Sequence, residues 1–178
     1  MTMGEGFEEF HWREQREEPM TQKIVPCLWF DGKAEEAMNF YLSVFRQGKV
    51  TNVMLHGEAG PGPKGTVLAV TFELEGQQFM GLNGGPQYSF TPAISLFVKC
   101  KDQAEVDHYW DKLQAGGGKP VQCGWLTDKY GVSWQIIPNG LLEMLQDKDE
   151  AKAKRTMEAM MEMVKLDIAA LKKAHAGM

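Results

Sequence analysis

Leu28-Trp29-Phe30-Asp31-Gly32-Lys33-Ala34-Glu35-Glu36-Ala37-Met38-Asn39-Phe40-Tyr41 decides the fold. Lys23 to Phe30 is apolar and β-leaning and predicts a buried strand. Asp31-Gly32 breaks it, and Asp31 is placed to cap the backbone donors that follow. Ala34, Ala37, Met38, Tyr41 and Phe45 then recur at helical spacing, with Lys33, Glu35 and Glu36 on the polar side. A weaker copy of the pattern lies about 70 residues downstream, an offset too long for a solenoid and suited to a duplicated βα module. There Leu96 to Asp102 stands for the strand and turn, Ala104-Glu105 for Ala34-Glu35, and Tyr109-Trp110 for Phe40-Tyr41.

Each copy extends into strands. After the first helix, Gly48 reads as a C-terminal stop and Lys49 to His56 alternates as a strand. Gly57 to Gly65 is a Gly/Pro connection, Thr66 to Leu74 a strong strand, Glu75-Gly76-Gln77 a hairpin turn and Gln78 to Leu82 its return. In the second copy Ala93 to Val98 is a strand and Asp102 to Ala115 a helix stopped by Gly116-Gly117-Gly118. Three short strands follow at Lys119 to Cys123, Gly124 to Lys129 and Val132 to Ile137. The expected class is α+β: two βαβββ modules, residues 23–86 and 92–139, curling a mixed sheet around a cavity. Residues 140–178 form a C-terminal helical tail. In that tail Met157, Met160, Met161, Val164, Ile168 and Leu171 make an apolar stripe, read as core or dimer packing because methionine fills irregular gaps with little strain.

Composition narrows the function classes. A net charge of −5 argues against non-specific binding to nucleic acid or anionic membranes. No apolar run approaches the roughly 20 residues that span a bilayer, and Met1 to Pro19 lacks the apolar core of a signal peptide. Cys27, Cys100 and Cys123 are odd in number and lack Cys-x-x-Cys spacing, which points to free thiols in a reducing cytoplasm. Cys123 is expected to be buried and inert, the alternative being an exposed reactive thiol. Residues 1–22 carry Phe7, Phe10 and Trp12 among glutamates and read as a mobile extension. Two other readings stay open: an upstream addition before a start at Met20, or an arm that docks its aromatics on a partner subunit.

Taken together, several stretches resemble one family. They are Leu28 to Gly32 with Ala34 to Ala37 and Phe40-Tyr41; Phe79 to Pro86; Asp102 to Asp107 with Tyr109-Trp110; Cys123 to Leu126 with Asp128 to Gln135; and Met160 to Ala174. The chain resembles the vicinal oxygen chelate superfamily of glyoxalase I, bleomycin-resistance and extradiol dioxygenase proteins. Within it, the likeness is to the PhnB-like group named 3-demethylubiquinone-9 3-methyltransferase. The resemblance implies paired modules around a small-molecule cavity, and a homodimer.

It also implies where metal ligands would stand. Metal-using relatives place His or Gln, then Glu, at matched strand positions, which fall here near Pro26, Asn83, Ser95 and Gln135. Proline has no donor, Asn and Ser are poor neutral ligands, and an amide oxygen is weaker than a carboxylate. A divalent metal is therefore not expected, and His11, His56, His108 and His175 are scattered outside this set. S-adenosylmethionine lacks motif support: Gly57 to Gly65 leads to a strand, and Gly116 to Gly118 follows a helix rather than opening one. No Gly-x-Ser-x-Gly, His-Glu-x-x-His or P-loop is present. Glu35-Glu36 suits the helix dipole, and Asp128 is either a general base or a turn residue.

What remains is an apolar pocket rimmed by amides. Asn83, Ser95, Ser133 and Gln135 are the candidate polar groups; Phe79, Trp125 and Tyr130, with Trp29 and Trp134, are the candidate walls. Strand alternation forbids Trp134 and Gln135 from sharing a face, and at least half of these aromatics are expected in the core. Asn83 has a plainer alternative as a cap on the turn at Gly84-Gly85. The expected function is ligand binding without the superfamily metal. The alternatives are an enzyme acting on a small aromatic or quinone-like substrate, and a structural domain that dimerises through its Met-rich tail.

Overall fold

The computed structural model describes residues 22–60 and 62–178. The expectations for the N-terminal extension fall on residues 1–21, outside the described residues. Gln22 itself belongs to the folded unit. Its Nε2 donates to Gly76 O at 2.7 Å, and its Oε1 accepts from Gln77 Nε2 at 2.6 Å.

The first module runs β1 (Cys27–Phe30), α1 (Ala34–Val44), β2 (Gly48–Leu55), β3 (Val67–Leu74) and β4 (Gln77–Asn83). The second runs β5 (Ser95–Cys100), α2 (Gln103–Gln114), β6 (Lys119–Pro120), β7 (Trp125–Thr127) and β8 (Ser133–Pro138). Helices α3 (Leu141–Leu145), α4 (Glu150–Met161) and α5 (Ile168–Ala176) follow. The two sheets have the same topology, β1-β4-β3-β2 and β5-β8-β7-β6. In each, the first strand pairs parallel with the last and the others pair antiparallel. The duplicated βαβββ pattern is thus borne out as two four-stranded mixed sheets, one per module.

Helix α1 lies between the sheets. Ala34, Ala37, Met38, Tyr41 and Val44 form its buried face. Tyr41 stacks on Phe72 of β3 with ring centroids 6.3 Å apart and lies 5.4 Å from Trp134 of β8. Phe45 reaches across to Trp134 and to Tyr109 of α2. One core therefore serves both modules, and it contains the helix-side residues of each sheet.

Asp128, in the turn from β7 to β8, ties the modules by polar contacts. Its Oδ1 accepts from the backbone N–H of Tyr130 at 2.8 Å and of Val132 at 3.0 Å. Its Oδ2 accepts from Tyr41 Oη at 2.8 Å and Trp134 Nε1 at 2.9 Å. A carboxylate offers about four lone-pair sites, and here all are taken. Burial pushes the Asp128 carboxyl up, against the opposite pull of its four donors. The turn reading of Asp128 holds, with a long-range partner added, and a saturated carboxylate has no free acceptor for base chemistry.

Three local expectations are corrected. Asp31 does not cap α1: the N-cap is Lys33, without a side-chain cap. Gly48 does not stop α1, which ends at Val44 with Phe45 already extended. Instead Gly48 opens β2, where a Cβ would lie 2.7 Å from Leu42 Cδ2 and 3.1 Å from Glu73 O. The tail stripe splits, because the chain turns between α4 and α5. Met160 and Leu171 pack in a second cluster with Ile137, Leu141 and Leu166, while Met157, Met161 and Val164 are exposed. The hairpin at Glu75-Gly76 is as expected; both residues have positive φ, 47° and 83°, the geometry of a type I′ turn. Among the described residues no helix is long and apolar enough to cross a membrane.

Removing the Asp128 carboxylate orphans two buried side-chain donors on different elements. Asp128→Ala is expected to cost about 3 kcal/mol or more, whereas Tyr41→Phe, which leaves three donors in place, costs about 1 kcal/mol. Denaturant titration of both variants checks this; equal losses would remove Asp128 from its central place.

Candidate functional site

The register of the second sheet sorts its residues by face. Ser95 pairs with Ser133 and Phe97 with Gln135 across β5–β8, and Trp125 pairs with Gln135 and Thr127 with Ser133 across β7–β8. Paired residues point the same way. Ser95, Phe97, Ser133, Gln135, Trp125 and Thr127 therefore share the face turned away from α1 and α2, whose continuation at Ile137 is covered by the C-terminal helices. Their neighbours Leu96, Trp134, Leu126 and Ile136 pack into the core. The Gln135 amide Nε2 donates to Ser95 Oγ at 2.8 Å. Four candidate residues, Ser95, Ser133, Gln135 and Trp125, thus share one face; Ser133 is buried in it, while Ser95, Gln135 and Trp125 are half-buried.

A cavity of about 510 Å³ opens at the edge of this surface. It lies between the β3–β4 hairpin and strand β5, and Ser95 and Phe79 both line it, with Pro26, Leu74, Phe97 and Tyr109. Phe79 sits on the helix side of the first sheet, stacked on Phe72 at 5.6 Å. Glu75 and Glu105 stand at the rim. Burial, then these two carboxylates, push the Tyr109 phenol up to about 12.

Asn83 and Tyr130 lie elsewhere. Asn83 Oδ1 accepts from Ala34 N at 2.9 Å, and its Nδ2 donates to Val67 O at 3.0 Å. The side chain thus caps the first turn of α1 from 49 residues away and clips it to β3. This is the capping task expected of Asp31, performed by another residue. Gly84-Gly85, the turn it was alternatively expected to cap, is not its partner. Tyr130 lines a second cavity of about 540 Å³ with Trp29, Glu36 and Lys129. Its Oη donates to Glu36 Oε1 at 2.9 Å, and Lys129 Nζ lies 5.0 Å from its ring centroid. Glu36, expected to serve the helix dipole, also takes an ion pair from Lys33 at 2.9 Å. The bonds from Lys33 and Tyr130 hold its carboxyl below the usual range.

Of the positions where metal-using relatives carry ligands, Pro26 has no side-chain donor, Asn83 is committed at both ends, and Ser95 and Gln135 bond each other. Among the described residues no three His, Cys, Asp or Glu side chains converge. His56, His108 and His175 are apart, His108 bonding Val44 O and His175 bonding Asp147. Gly60 and Gly62 close over the His56 ring: a Cβ at Gly62 would lie 2.5 Å from its Nε2.

This geometry has a counterpart. The family described as 3-demethylubiquinone-9 3-methyltransferase matches residues 22–137. The chain belongs to this family. It is thereby a PhnB-like member of the vicinal oxygen chelate superfamily. The solved PhnB protein of Bacillus cereus, which carries the same methyltransferase description, is 43% identical over 66% of this chain and 99% of its own, with a TM-score of 0.60. The protein PA1353 from Pseudomonas aeruginosa is 21% identical over 64% of this chain and 95% of its own, with a TM-score of 0.53, and shares the fold. No curated protein matches. The family match ends at Ile137, so α3 to α5 lie beyond it.

Phe97 and Tyr109 were not among the candidates from sequence, although period-two alternation from Ser95 points to Phe97. Tyr109 was read only as part of the helix repeat, and nothing local marks it as a cavity residue. Asn83→Ala is expected to lower stability by about 1 kcal/mol, as loss of a helix cap does, and to leave ligand affinity unchanged. Thermal melting and binding measured on the same sample separate the two effects.

Proposed function

We propose that this protein binds a small planar organic molecule on the Ser95–Ser133–Gln135 face, next to the β5 cavity, without a divalent metal. The observation that carries the reading is the Gln135–Ser95 pair at 2.8 Å, set between Phe97 and Trp125 in register. Hydroxyl and amide groups orient a carbonyl or phenol, and the aromatic residues supply apolar area. The neutral donor set at the superfamily's ligand positions supports binding independent of metal.

The protein works as a cytoplasmic homodimer in this reading. The three free thiols support a reducing compartment. Val50, Val53, Met54 and Leu55 on edge strand β2 are all more than 40% exposed, which supports a partner on that strand. Sedimentation that returns only monomer at micromolar concentration would remove the dimer from the proposal.

A second reading, methyl transfer to a quinone-like substrate, rests on the description of the matched family and of the Bacillus cereus protein. The glycine-rich segments give a nucleotide donor no support. Gly60 and Gly62 pack over His56, and Gly116–Gly118 lies at the C-terminal end of α2.

The experiment is calorimetry with 2-hydroxy-1,4-naphthoquinone as a planar probe, with and without chelator. Gln135→Ala is expected to weaken binding about tenfold, the worth of one hydrogen bond, with the melting temperature retained and chelator without effect. Unchanged affinity in Gln135→Ala removes this face from the function. Formation of a methylated product with S-adenosylmethionine favours the second reading.

A further inference from the structure

Cys123 departs from its expected burial: its thiol is partly exposed. It occupies the β6–β7 connection with a left-handed φ of 59°. Hydrogen bonds to the tail fix it there. Cys123 N donates to Met163 O and Gly124 N to Val164 O, each at 2.8 Å. These bonds bring the thiol to the end of α4, where Cys123 Sγ lies 3.7 Å from Met161 Sδ. Met157 precedes Met161 by four residues on α4 and so shares its helix face.

Packing does not account for these two methionines. Met157 is 44% and Met161 51% exposed, whereas Met160 and Met163 turn inward against the second core cluster. The Met161 thioether is therefore presented to solvent against an anchored thiol that has no disulfide partner, with exposed Met157 one turn earlier on the same helix face. Thiolate and thioether sulfurs are the soft donors that select copper(I). The spacing fits shared coordination. With metal–sulfur bonds of about 2.3 Å, two sulfurs on one ion lie roughly 3.8 to 4.6 Å apart, from a tetrahedral to a linear angle. The observed contact needs an adjustment of about a tenth of an ångström to reach that range.

We propose that Cys123, Met161 and Met157 form a binding site for a monovalent soft metal ion of the copper(I) type. It is separate from the ligand face on the second sheet. Binding replaces the thiol proton, which leaves to solvent, by a sulfur–metal bond, and the thioethers donate lone pairs; no electron is transferred. The hydrogen bonds from Cys123 and Gly124 to the α4–α5 connection hold the thiol in place before the metal arrives.

The test is anaerobic titration of the full chain with copper(I) against a chromophoric chelator such as bicinchoninate. Wild type and Cys27→Ser are each expected to withdraw one equivalent. Cys123→Ser is expected to lose it, and Met161→Leu and Met157→Leu to weaken it by about tenfold or more, with melting temperatures unchanged. X-ray absorption of the loaded protein reads sulfur coordination directly. Failure of the wild type to compete overturns the site, as does retention of the equivalent in Cys123→Ser. Wild-type affinity in Met161→Leu also overturns it, since a bare thiol would then be the ligand. Where Cys123→Ser folds poorly, the exposed methionine variants, which conserve volume, carry the decision.

Discussion

The buried carboxylate of Asp128 is the constraint on which the two-module arrangement depends. It accepts two backbone donors from its own turn and two side-chain donors, Tyr41 from the first module and Trp134 from the second. Taking a charge out of water is expensive unless every lone pair finds a donor. The four bonds meet that condition only when α1 stands against the second sheet at one height and one rotation. Apolar contacts such as Tyr41 with Trp134 and Phe45 with Trp134 supply the bulk of the attraction but tolerate sliding. The carboxylate removes that tolerance. It thereby sets where strand β5 stands relative to the β3–β4 hairpin, and the cavity opens between the two.

Position on the sheet, rather than residue type, separates groups left on the outer face from those used inside the fold. Asn83 and Gln135 are both amides near the ends of modules. Gln135 lies on the outer face and meets a serine. Asn83 lies at the end of β4 and is consumed by the α1 cap and by Val67 O. The same logic divides the aromatics. Phe97 and Trp125 fall in register with Gln135, Trp134 turns into the core, and Tyr130 is drawn to Glu36 and Lys129 at the start of α1. The tail follows a similar division, with Met160 and Met163 inward and Met157 and Met161 outward beside Cys123.

Much of this was legible in the chain. The strand, turn and helix at Leu28 to Tyr41 lie where hydrophobic periodicity puts them, as do the repeat at Leu96 to Trp110 and the Glu75-Gly76 hairpin. Such signals are local: period 2, period 3.6 and turn chemistry are written within a few residues. The alternation that sends Trp134 and Gln135 to opposite faces is of the same kind. Asn83 as the cap of a helix 49 residues upstream was not legible, since a cap search looks only one to three residues before the helix. Nor was the loss of Gly48 as a helix stop, since its need for a bare Cα comes from Leu42 and Glu73 packing against it.

The sequence by itself determined the elements, their duplicated order, the βαβββ class and the family, because these rest on local spacing and on motifs spread through both modules. It also determined that Pro26 offers no side-chain donor to a metal wherever it is placed. Only the tertiary structure decided which amide is left on an outer sheet face and which is used to hold a helix. It also decided that Asp128 joins two modules and that a thiol meets a thioether 38 residues away. Those outcomes depend on distances between segments remote in sequence, and such distances are set by how the sheets and α1 pack as a whole.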